Sequence, residues 1–378
     1  MAEPIAHSNR QPELDWLRGL AALAVVQFHY FHKGPKEGWM ASQPSALVDA
    51  VATYGYLGVH LFFMISGYVI MMSASGASLR QFVASRVSRL VPALWVCMTL
   101  TALIELWVPG APFKPESWSQ YLANLTLLPG WFGEEPIDGA YWSLAVEINF
   151  YMWVALVIAT GQIRHIEKCL LAWLGLSLVN LVRPMYPVEL YTSAHWAPLF
   201  SAGAFFFLVH QSGWTLQRRV ALGFSLVLAC LYAWKEAGPL KHVNELLSLT
   251  TGVNHLVVMG IMLAYFLFFF RLVRTKGGMR ASRWSDLAGR LTYPLYLFHQ
   301  NAGYALFSLA AASGLVLAWG ATTVAVCLVL LALLVAWLVN VLVERRVAPW
   351  LRRRIAGRRT MHSTRLPAKT TNMREELP

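Results

Sequence analysis

Residues 14–32, LDWLRGLAALAVVQFHYFH, form an apolar run of about the 20 residues that a helix needs to cross a lipid bilayer. Arg18 and His29 interrupt this run, which sets it apart from an ordinary hydrophobic span. Further apolar runs of similar length follow near residues 54–73, 87–108, 141–160, 167–183, 192–210, 219–236, 252–271, 287–312 and 318–343. The pattern predicts an all-α, polytopic membrane protein with about ten transmembrane helices.

The composition of the chain agrees with a membrane location. Of its 378 residues, 57% are hydrophobic and 13% are charged, whereas about 25% are charged in an average soluble domain. The net charge of +12 would suggest nucleic-acid binding in a soluble protein, but the same excess is typical of the cytoplasmic loops of membrane proteins. The composition therefore excludes an ordinary soluble enzyme and predicts no nucleic-acid partner. None of the four cysteines forms a CxxC motif, so no metal site is expected.

The distribution of basic residues predicts the orientation of the chain. An even number of spans places both termini on one side, and most of the 31 Lys and Arg residues fall on that side. By the positive-inside rule, both ends are cytoplasmic. We therefore divide the chain into a cytoplasmic segment (1–13), a transmembrane domain (14–344) and a basic cytoplasmic tail (345–378). The segment before Leu14 lacks a compact basic region, which argues against a cleaved signal peptide.

The first span carries two ionisable groups at a helical spacing. Arg18 and His29 are 11 residues apart, close to three helical turns, so they share one face about 16 Å apart. Charged groups within a span are costly and face the interior of a bundle, where they are functional candidates. A long substrate could lie along this face. The alternative is that Arg18 reaches lipid phosphates and His29 hydrogen-bonds a neighbouring helix.

Two further ionisable groups are predicted to lie at the depth of His29. Glu147 belongs to YWSLAVEINFY (141–151), and His299 belongs to LTYPLYLFHQN (291–301). A carboxylate at this depth could orient the His29 imidazole, as base-and-orienter pairs require. The alternatives are that Glu147 pairs with another helix for packing and that His299 is structural. Two polar neighbours of these groups are also candidate site residues: Asp15 and Ser143.

Arg86 and Arg89 begin the third span and lie three residues apart, so they project from neighbouring positions on one helix face. Guanidinium forks suit phosphate oxygens, which makes the pair a candidate anion site. The alternative is ordinary positive-inside charge. Just upstream, LFFMISGYVI (61–70) places Ser66 and Gly67 in a helix of bulky residues, as close helix contact or a thin-walled channel would need.

Five stretches together resemble the acyltransferase 3 family of integral membrane acyltransferases, which modify bacterial cell-envelope polysaccharides and some small molecules. They occur in the family's order: residues 14–32, GVHLFFMISGYVI (58–70), RVSRLVPALW (86–95), YWSLAVEINFY (141–151) and TYPLYLFHQ (292–300). A weaker match follows at VERRVAPW (343–350). The stretches span nearly the whole chain.

The resemblance implies a reaction and a set of catalytic residues. An acyl group, commonly acetyl from acetyl-CoA or another acyl-CoA, passes from the cytoplasmic side to a hydroxyl on the outer face of the bacterial cytoplasmic (inner) membrane. The acceptor is a glycan or a lipid-linked glycan. Arg18 and His29 match the essential pair on the family's first helix, and Glu147 matches its acid after Trp-Ser-Leu. One departure is His60, which stands where members often carry an acid.

The resemblance also implies a donor site. Arg86 and Arg89 match the family's cytoplasmic arginine pair, which is expected to engage acyl-CoA. Ser66, Gly67 and Tyr68 are assigned to the same cofactor-binding set, and no metal is implied.

The resulting hypothesis is an acyl-CoA-dependent O-acyltransferase in which His29, oriented by Glu147, is the general base or takes the acyl group itself. A rival from another class is a transporter or flippase with an intramembrane proton relay. A third reading is a non-catalytic component of a polysaccharide assembly complex, in which the polar residues would be dispensable.

Overall fold

The computed structural model describes residues 11–41, 44–115, 117–246, 253–275 and 278–356. Within these ranges the regular structure is entirely helical. The longer helices, in chain order, are α1 (Pro12–Phe28), α2 (Leu57–Ala74), α3 (Leu79–Trp107), α4 (Trp142–Ala159), α5 (Ile166–Val182), α6 (Ala197–Ser212), α7 (Leu216–Leu246), α8 (His255–Thr275), α9 (Arg283–Phe298), α10 (Asn301–Ala312), α11 (Ala321–Val339) and α12 (Arg345–Ala356). Short helices join them at Gly34–Lys36, Ala46–Ala52, Trp118–Asn124, Tyr186–Thr192 and Leu315–Trp319.

Eight helical segments of the described chain are long and apolar enough to cross a bilayer. They match eight of the predicted runs and confirm an all-α polytopic membrane protein. The other two predicted runs are not single continuous α-helices. The run at 14–32 is the 17-residue helix α1 continued by a π-helical turn, His29–Lys33. The run at 287–312 is not one helix, because it breaks at His299 and Gln300 into α9 and α10.

Small residues bring the central helices into close contact. A Cβ atom at Gly67 of α2 would collide with the carbonyl of Phe200 in α6, and one at Gly203 of α6 would collide with the carbonyl of Met64 in α2. Glycine at these crossings lets the two backbones approach, as is common between membrane helices. Helix α1 packs against α2 and α9. The face of α1 that carries the polar residues is therefore enclosed by other helices.

The break between α9 and α10 leaves backbone carbonyls without helical partners, which is tolerated at membrane depth only where other groups satisfy them. The Tyr30 hydroxyl donates to the carbonyl of His299 at 2.7 Å, and the Tyr141 hydroxyl donates to that of Leu297 at 2.9 Å. Tyr30 lies in the π-helical turn after α1, and Tyr141 lies just before α4. These two hydrogen bonds connect the end of α1 and the start of α4 to the break.

Helix α11 continues through a second π-helical turn, Asn340–Glu344, into α12, which packs against α3. The basic tail predicted at 345–378 therefore begins as a helix, while residues 357–378 lie outside the described residues, as do residues 1–10.

We call the end of the bundle that holds Arg18, Arg89 and Arg290 the arginine end. The end that holds His29 and His299 is the histidine end. Helices α1 and α9 both run from the arginine end to the histidine end.

Candidate active site

A cavity of about 250 Å³ lies at the histidine end. Its lining combines polar and aromatic side chains from several helices and loops, among them His29, Lys33, His60, Trp142, Trp196 and Glu236. A cavity of this kind, mainly apolar with a few convergent polar groups, is typical of a binding site for a small molecule or one unit of a polymer.

Tyr304 holds the His29 ring. His29 Nδ1 lies 3.1 Å from the Tyr304 hydroxyl oxygen, and the same hydroxyl donates to the His29 carbonyl at 3.2 Å. Because the hydroxyl has a single proton and donates it to the carbonyl, the arrangement favours His29 with its proton on Nδ1. Within the described ranges Nε2 has no hydrogen-bond partner, so its lone pair is available to accept a proton.

His299 lies beside His29, with the two ring centroids 5.1 Å apart. Its Nδ1 donates to the carbonyl of Tyr296 at 2.9 Å, which leaves Nε2 as the acceptor nitrogen. That Nε2 is buried and has no partner among the residues that the structure describes. The prediction that His29 and His299 lie at the same depth is confirmed.

A second group of titratable side chains borders the same cavity. The carboxylate of Glu236 in α7 lies 3.0 Å from Nε2 of His60 in α2, and it also binds Nε2 of His195, just before α6. The indole of Trp196 meets the His60 ring edge-on at a centroid distance of 5.2 Å. The cluster therefore connects three helices at the histidine end.

A smaller cavity of about 70 Å³ lies between the two ends of the bundle, and we call it the middle cavity. Glu147 lines it and accepts hydrogen bonds from the hydroxyls of Ser66 and Tyr151, both at 2.5 Å. Arg18 also lines it, and the Arg18 guanidinium lies 3.6 Å from the Asp15 carboxylate. The middle cavity shares the side chain of Tyr296 with the histidine-end cavity.

Two larger cavities, of about 320 and 690 Å³, occupy the arginine end. Arg89 lines both of them and the middle cavity as well. The larger one is surrounded by five arginines and a single carboxylate, that of Glu344: Arg89, Arg290, Arg345, Arg352 and Arg353. Neighbouring cavities therefore share lining residues all the way from the arginines to His29.

Asp138, in the loop before α4, links this loop to the start of α10, next to the helix break. Its carboxylate accepts the backbone N–H of Ala140 at 2.8 Å and that of Asn301 at 2.9 Å. The residue is fully buried, and this burial raises the pKa of Asp138 to about 7. The loop and the start of α10 are thereby held in one arrangement beside His299.

The model of the acyltransferase 3 family, described as an acyltransferase domain, matches residues 11–341. The chain belongs to the acyltransferase 3 family. The resemblance drawn from the five sequence stretches is thus confirmed.

Curated relatives of this acyltransferase agree with the family. The "O-acetyl transferase" of Shigella phage Sf6 is 25% identical over 58% of this chain and 68% of its own length. The "Peptidoglycan O-acetyltransferase OatA" of Listeria monocytogenes is 25% identical over 45% of this chain but only 28% of its own length. The "Exopolysaccharide production protein ExoZ" of Rhizobium meliloti is 28% identical over 82% of this chain and 93% of its own length. No solved structure matches. The protein is a multi-pass membrane acyltransferase.

One predicted pairing in the acyltransferase is wrong. Glu147 does not orient His29, because the described contacts of its carboxylate are to Ser66 and Tyr151, while His29 is held by Tyr304. Glu147 lies five residues inside α4, about 8 Å along the helix, whereas His29 follows the last residue of α1. The two groups thus line different cavities of the acyltransferase.

Arg86 and Arg89 face different surroundings. Arg89 faces the arginine-end cavities, but Arg86 donates to Ser85 Oγ at 2.9 Å and lies over the Tyr151 ring at 5.7 Å from its centroid. Residues three apart differ by about 60° around a helix of 3.6 residues per turn, and on α3 this difference directs Arg86 towards Tyr151 of α4. The prediction that both arginines face one anion site is wrong.

The other residues assigned to the donor site, Ser66, Gly67 and Tyr68, also lie in different surroundings. Ser66 lines the middle cavity, as does Ser143, whose hydroxyl lies 2.6 Å from that of Tyr296. Gly67 instead forms the crossing with α6, and the buried Tyr68 hydroxyl accepts a hydrogen bond from Gln11 at 2.9 Å. Gly67 and Tyr68 therefore have packing contacts in the acyltransferase.

Four residues of the site were not singled out from the sequence: Asp138, His195, Glu236 and Tyr304. Glu236 is the one that a sequence rule could have found, because it closes the apolar run at 219–236 and carboxylates within spans are rare. Tyr304 lies in a run that reads as one continuous helix, so the break that places its hydroxyl against His29 has no local signal.

Proposed function

We propose that this acyltransferase moves an acyl group, acetyl in the simplest case, from acyl-CoA at the arginine end to a hydroxyl of an envelope or exported glycan at the histidine end. The observation that carries the proposal is the row of cavities between the two ends. Arg89 lines three of them, and Tyr296 lines both the middle and the histidine-end cavity. An extended, anionic donor fits such a row.

The charge of the arginine end supports acyl-CoA as the donor. Coenzyme A carries several phosphate groups, and guanidinium groups bind phosphate oxygens through paired N–H donors. In the larger cavity, five arginines face one carboxylate, that of Glu344. An anion bound among them relieves their mutual repulsion. The phosphates would bind here, with the acyl end directed through the middle cavity.

The chemistry of the step follows from the His29 ring. The acceptor hydroxyl gives its proton to Nε2 as its oxygen attacks the thioester carbonyl, and a tetrahedral intermediate forms. When the intermediate collapses, the carbon–sulfur bond breaks and the coenzyme A sulfur receives the proton from the imidazolium. Tyr304 keeps the ring oriented throughout. The products are an ester and free coenzyme A.

Charge supports the side of the membrane that we propose, and the relatives support the acceptor. Because basic segments stay in the cytoplasm, the arginine end is the cytoplasmic side of a bacterial inner membrane. Acyl-CoA is then bound on the cytoplasmic side, and the acyl group leaves from the opposite side. The names of the relatives refer to peptidoglycan and to exopolysaccharide, which supports a glycan acceptor.

The proposal is tested with purified protein reconstituted into vesicles, given acetyl-CoA labelled in the acetyl group and cell-envelope glycan. We expect labelled glycan and free coenzyme A from the wild type, and a loss of about a hundredfold or more in rate from His29→Ala, as removal of a general base predicts. His165→Ala, a partly buried histidine in the short 3₁₀ helix between α4 and α5, is the matched control and should keep the wild-type rate.

Two results would contradict the proposal. The first is full transfer by His29→Ala in a folded protein. The second is the absence of any turnover of acyl-CoA by the wild type, which is what the transporter hypothesis predicts.

A further inference from the structure

The cluster of His60, His195 and Glu236 has no part in the transfer step described above, although it borders the same cavity as His29. Its three members come from α2, from the residues before α6, and from α7. The Glu236 carboxylate binds both imidazoles through their Nε2 atoms. Because a carboxylate can only accept hydrogen bonds, both Nε2 atoms carry protons.

In the neutral form of His60, a proton on Nε2 leaves an unused acceptor at Nδ1. With the proton of the neutral ring on Nε2, Nδ1 presents a lone pair. His60 is buried, and its Nδ1 has no hydrogen-bond partner in the part of the chain that the structure describes. A buried acceptor without a donor costs free energy, and a ligand hydroxyl would recover it.

Two indole rings adjoin this acceptor. Trp196 meets the His60 ring edge-on, and the Trp142 ring lies 5.3 Å from that of Trp196 at an angle of 34°. Both indoles line the cavity together with Lys33 and Glu236. One positive and one negative side chain give this wall no strong preference for a charged occupant. Apolar ring surface beside a few hydrogen-bonding groups suits a neutral polyhydroxyl ligand.

We propose that His60 and Glu236, with Trp142 and Trp196, form the acceptor subsite and that it binds a neutral sugar unit. The sugar ring packs on the indoles, and one of its hydroxyls donates to His60 Nδ1 while a neighbouring hydroxyl reaches His29. Glu236 is a positioning residue, since it keeps the His60 proton on Nε2. This inference rests on the proposed function and adds to it the residues that bind the acceptor and the neutral charge of the bound sugar unit.

The same cluster could instead serve only to hold α7 against α2, so the test needs a readout that packing alone does not move. Labelled acetyl-CoA is supplied with p-nitrophenyl β-D-glucopyranoside and its N-acetylglucosamine counterpart as acceptors. Transfer to the glycoside and hydrolysis to acetate are measured in the same reaction. Hydrolysis needs the donor and His29 but no sugar subsite, so the ratio of glycoside ester to acetate reports on acceptor binding.

Two substitutions at one position separate the two ring nitrogens. In His60→Gln the side-chain amide reaches the place of Nε2 and keeps a bond to Glu236, but the acceptor at Nδ1 is lost. In His60→Asn the amide oxygen takes the place of Nδ1. We expect His60→Gln and Glu236→Gln to lower the ratio of ester to acetate about tenfold, the size of one lost hydrogen bond, and His60→Asn to lower it much less. Hydrolysis should stay within about twofold of the wild type for all three.

The control is Glu135→Gln, an exposed carboxylate in the loop before α4. It should leave the ratio unchanged. Equal losses of ester and acetate in the cluster variants would show a packing role and overturn the inference. An unchanged ratio in His60→Gln would overturn it as well. Failure of the proposed function looks different, because the wild type would then release no coenzyme A from acetyl-CoA at all.

Discussion

The arginine end and the histidine end of the bundle differ in how their polar groups are held. At the arginine end, five arginines surround a cavity of about 690 Å³ with one carboxylate between them. At the histidine end, the cavity is about 250 Å³, and His29 and His60 are each held by one specific partner, Tyr304 and Glu236. Excess charge in a wide space favours binding of an extended anion, whereas fixed rings in a narrow space favour chemistry at a defined atom.

This difference predicts how each end responds to change. Substitutions at the arginine end should weaken donor binding in a salt-dependent way, and substitutions at the histidine end should lower the catalytic rate or change its pH response. The predictions on Tyr304, α12 and Arg86 test whether binding and chemistry are separated in this manner, and the prediction on Asp138 tests how the histidine end is stabilised.

After that of His29 itself, the largest effect is expected at Tyr304. Tyr304→Phe removes the hydroxyl that accepts a hydrogen bond from the Nδ1–H group of His29, so the ring loses its fixed tautomer. We expect kcat for acetyl transfer to fall about tenfold or more, as loss of one orienting hydrogen bond predicts, with little change in KM for acetyl-CoA. Steady-state kinetics on reconstituted protein would measure both. A rise in KM with kcat unchanged would place Tyr304 in donor binding instead.

A smaller effect is expected from α12. The double substitution Arg352→Ala with Arg353→Ala removes two exposed guanidinium groups from the larger arginine-end cavity. We expect the Kd for coenzyme A to rise about threefold to tenfold at low salt and the difference to shrink at high salt, because exposed charges are screened. Binding is measured by calorimetry in detergent. Arg280→Ala, another exposed arginine at this end, is the control. An equal rise in Kd for Arg280→Ala would show that α12 contributes only general positive charge and no specific binding contact.

The pH response of stability tests the histidine end. Burial raises the pKa of Asp138 to about 7 in the folded protein, from about 3.9 in an unfolded chain. A group with a raised folded pKa contributes stability that is fully present below about pH 4 and is lost as the pH rises through about 7. We therefore expect the Tm of the wild type to fall between about pH 4 and 7 and the Tm of Asp138→Asn to change less.

Thermal unfolding in detergent, followed by tryptophan fluorescence, gives the two slopes. Asp138→Asn also loses one backbone hydrogen bond, so its Tm is expected to be lower throughout, and only the difference in slope is diagnostic. Parallel pH profiles would mean that Asp138 ionises as an ordinary carboxyl.

The smallest effect is expected at Arg86. Its guanidinium faces Tyr151 and Ser85 rather than the arginine-end cavities. Arg86→Ala should therefore change the Kd for coenzyme A by less than about twofold, well below the tenfold that a lost charge-assisted hydrogen bond would give. A tenfold weakening would show that Arg86 turns to the donor when it binds.

The fold could be read from the sequence because hydropathy is local: each apolar run reports its own span, whatever its neighbours are. Depth can be read for His29 and His299, whose rings lie together as predicted. It cannot be read for Glu147, which lies about 8 Å inside α4 and lines the middle cavity. Which side chains Glu147 contacts depends on how α1, α2 and α4 pack, and the sequence of one helix does not contain that information.

The remaining parts of the site depend on distant contacts. The break that brings Tyr304 to His29 is stabilised by Tyr30 and Tyr141, which come from other parts of the chain. The partner of His60 comes from α7, far along the sequence. Both contacts join residues that are far apart in the sequence. Periodicity and motif spacing describe one segment at a time, so they cannot predict such contacts.

The central claim is that the arginine end binds the donor and the histidine end carries out the transfer. It is tested most directly by measuring equilibrium binding of coenzyme A to the reconstituted wild type, to Arg89→Ala and to His29→Ala, with acetyl transfer measured on the same samples. We predict that His29→Ala binds coenzyme A like the wild type but transfers almost no acetyl group. Arg89→Ala is predicted to bind about tenfold or more weakly, the effect of one lost charge-assisted contact. Loss of coenzyme A binding in His29→Ala, or wild-type binding in Arg89→Ala, would contradict the claim.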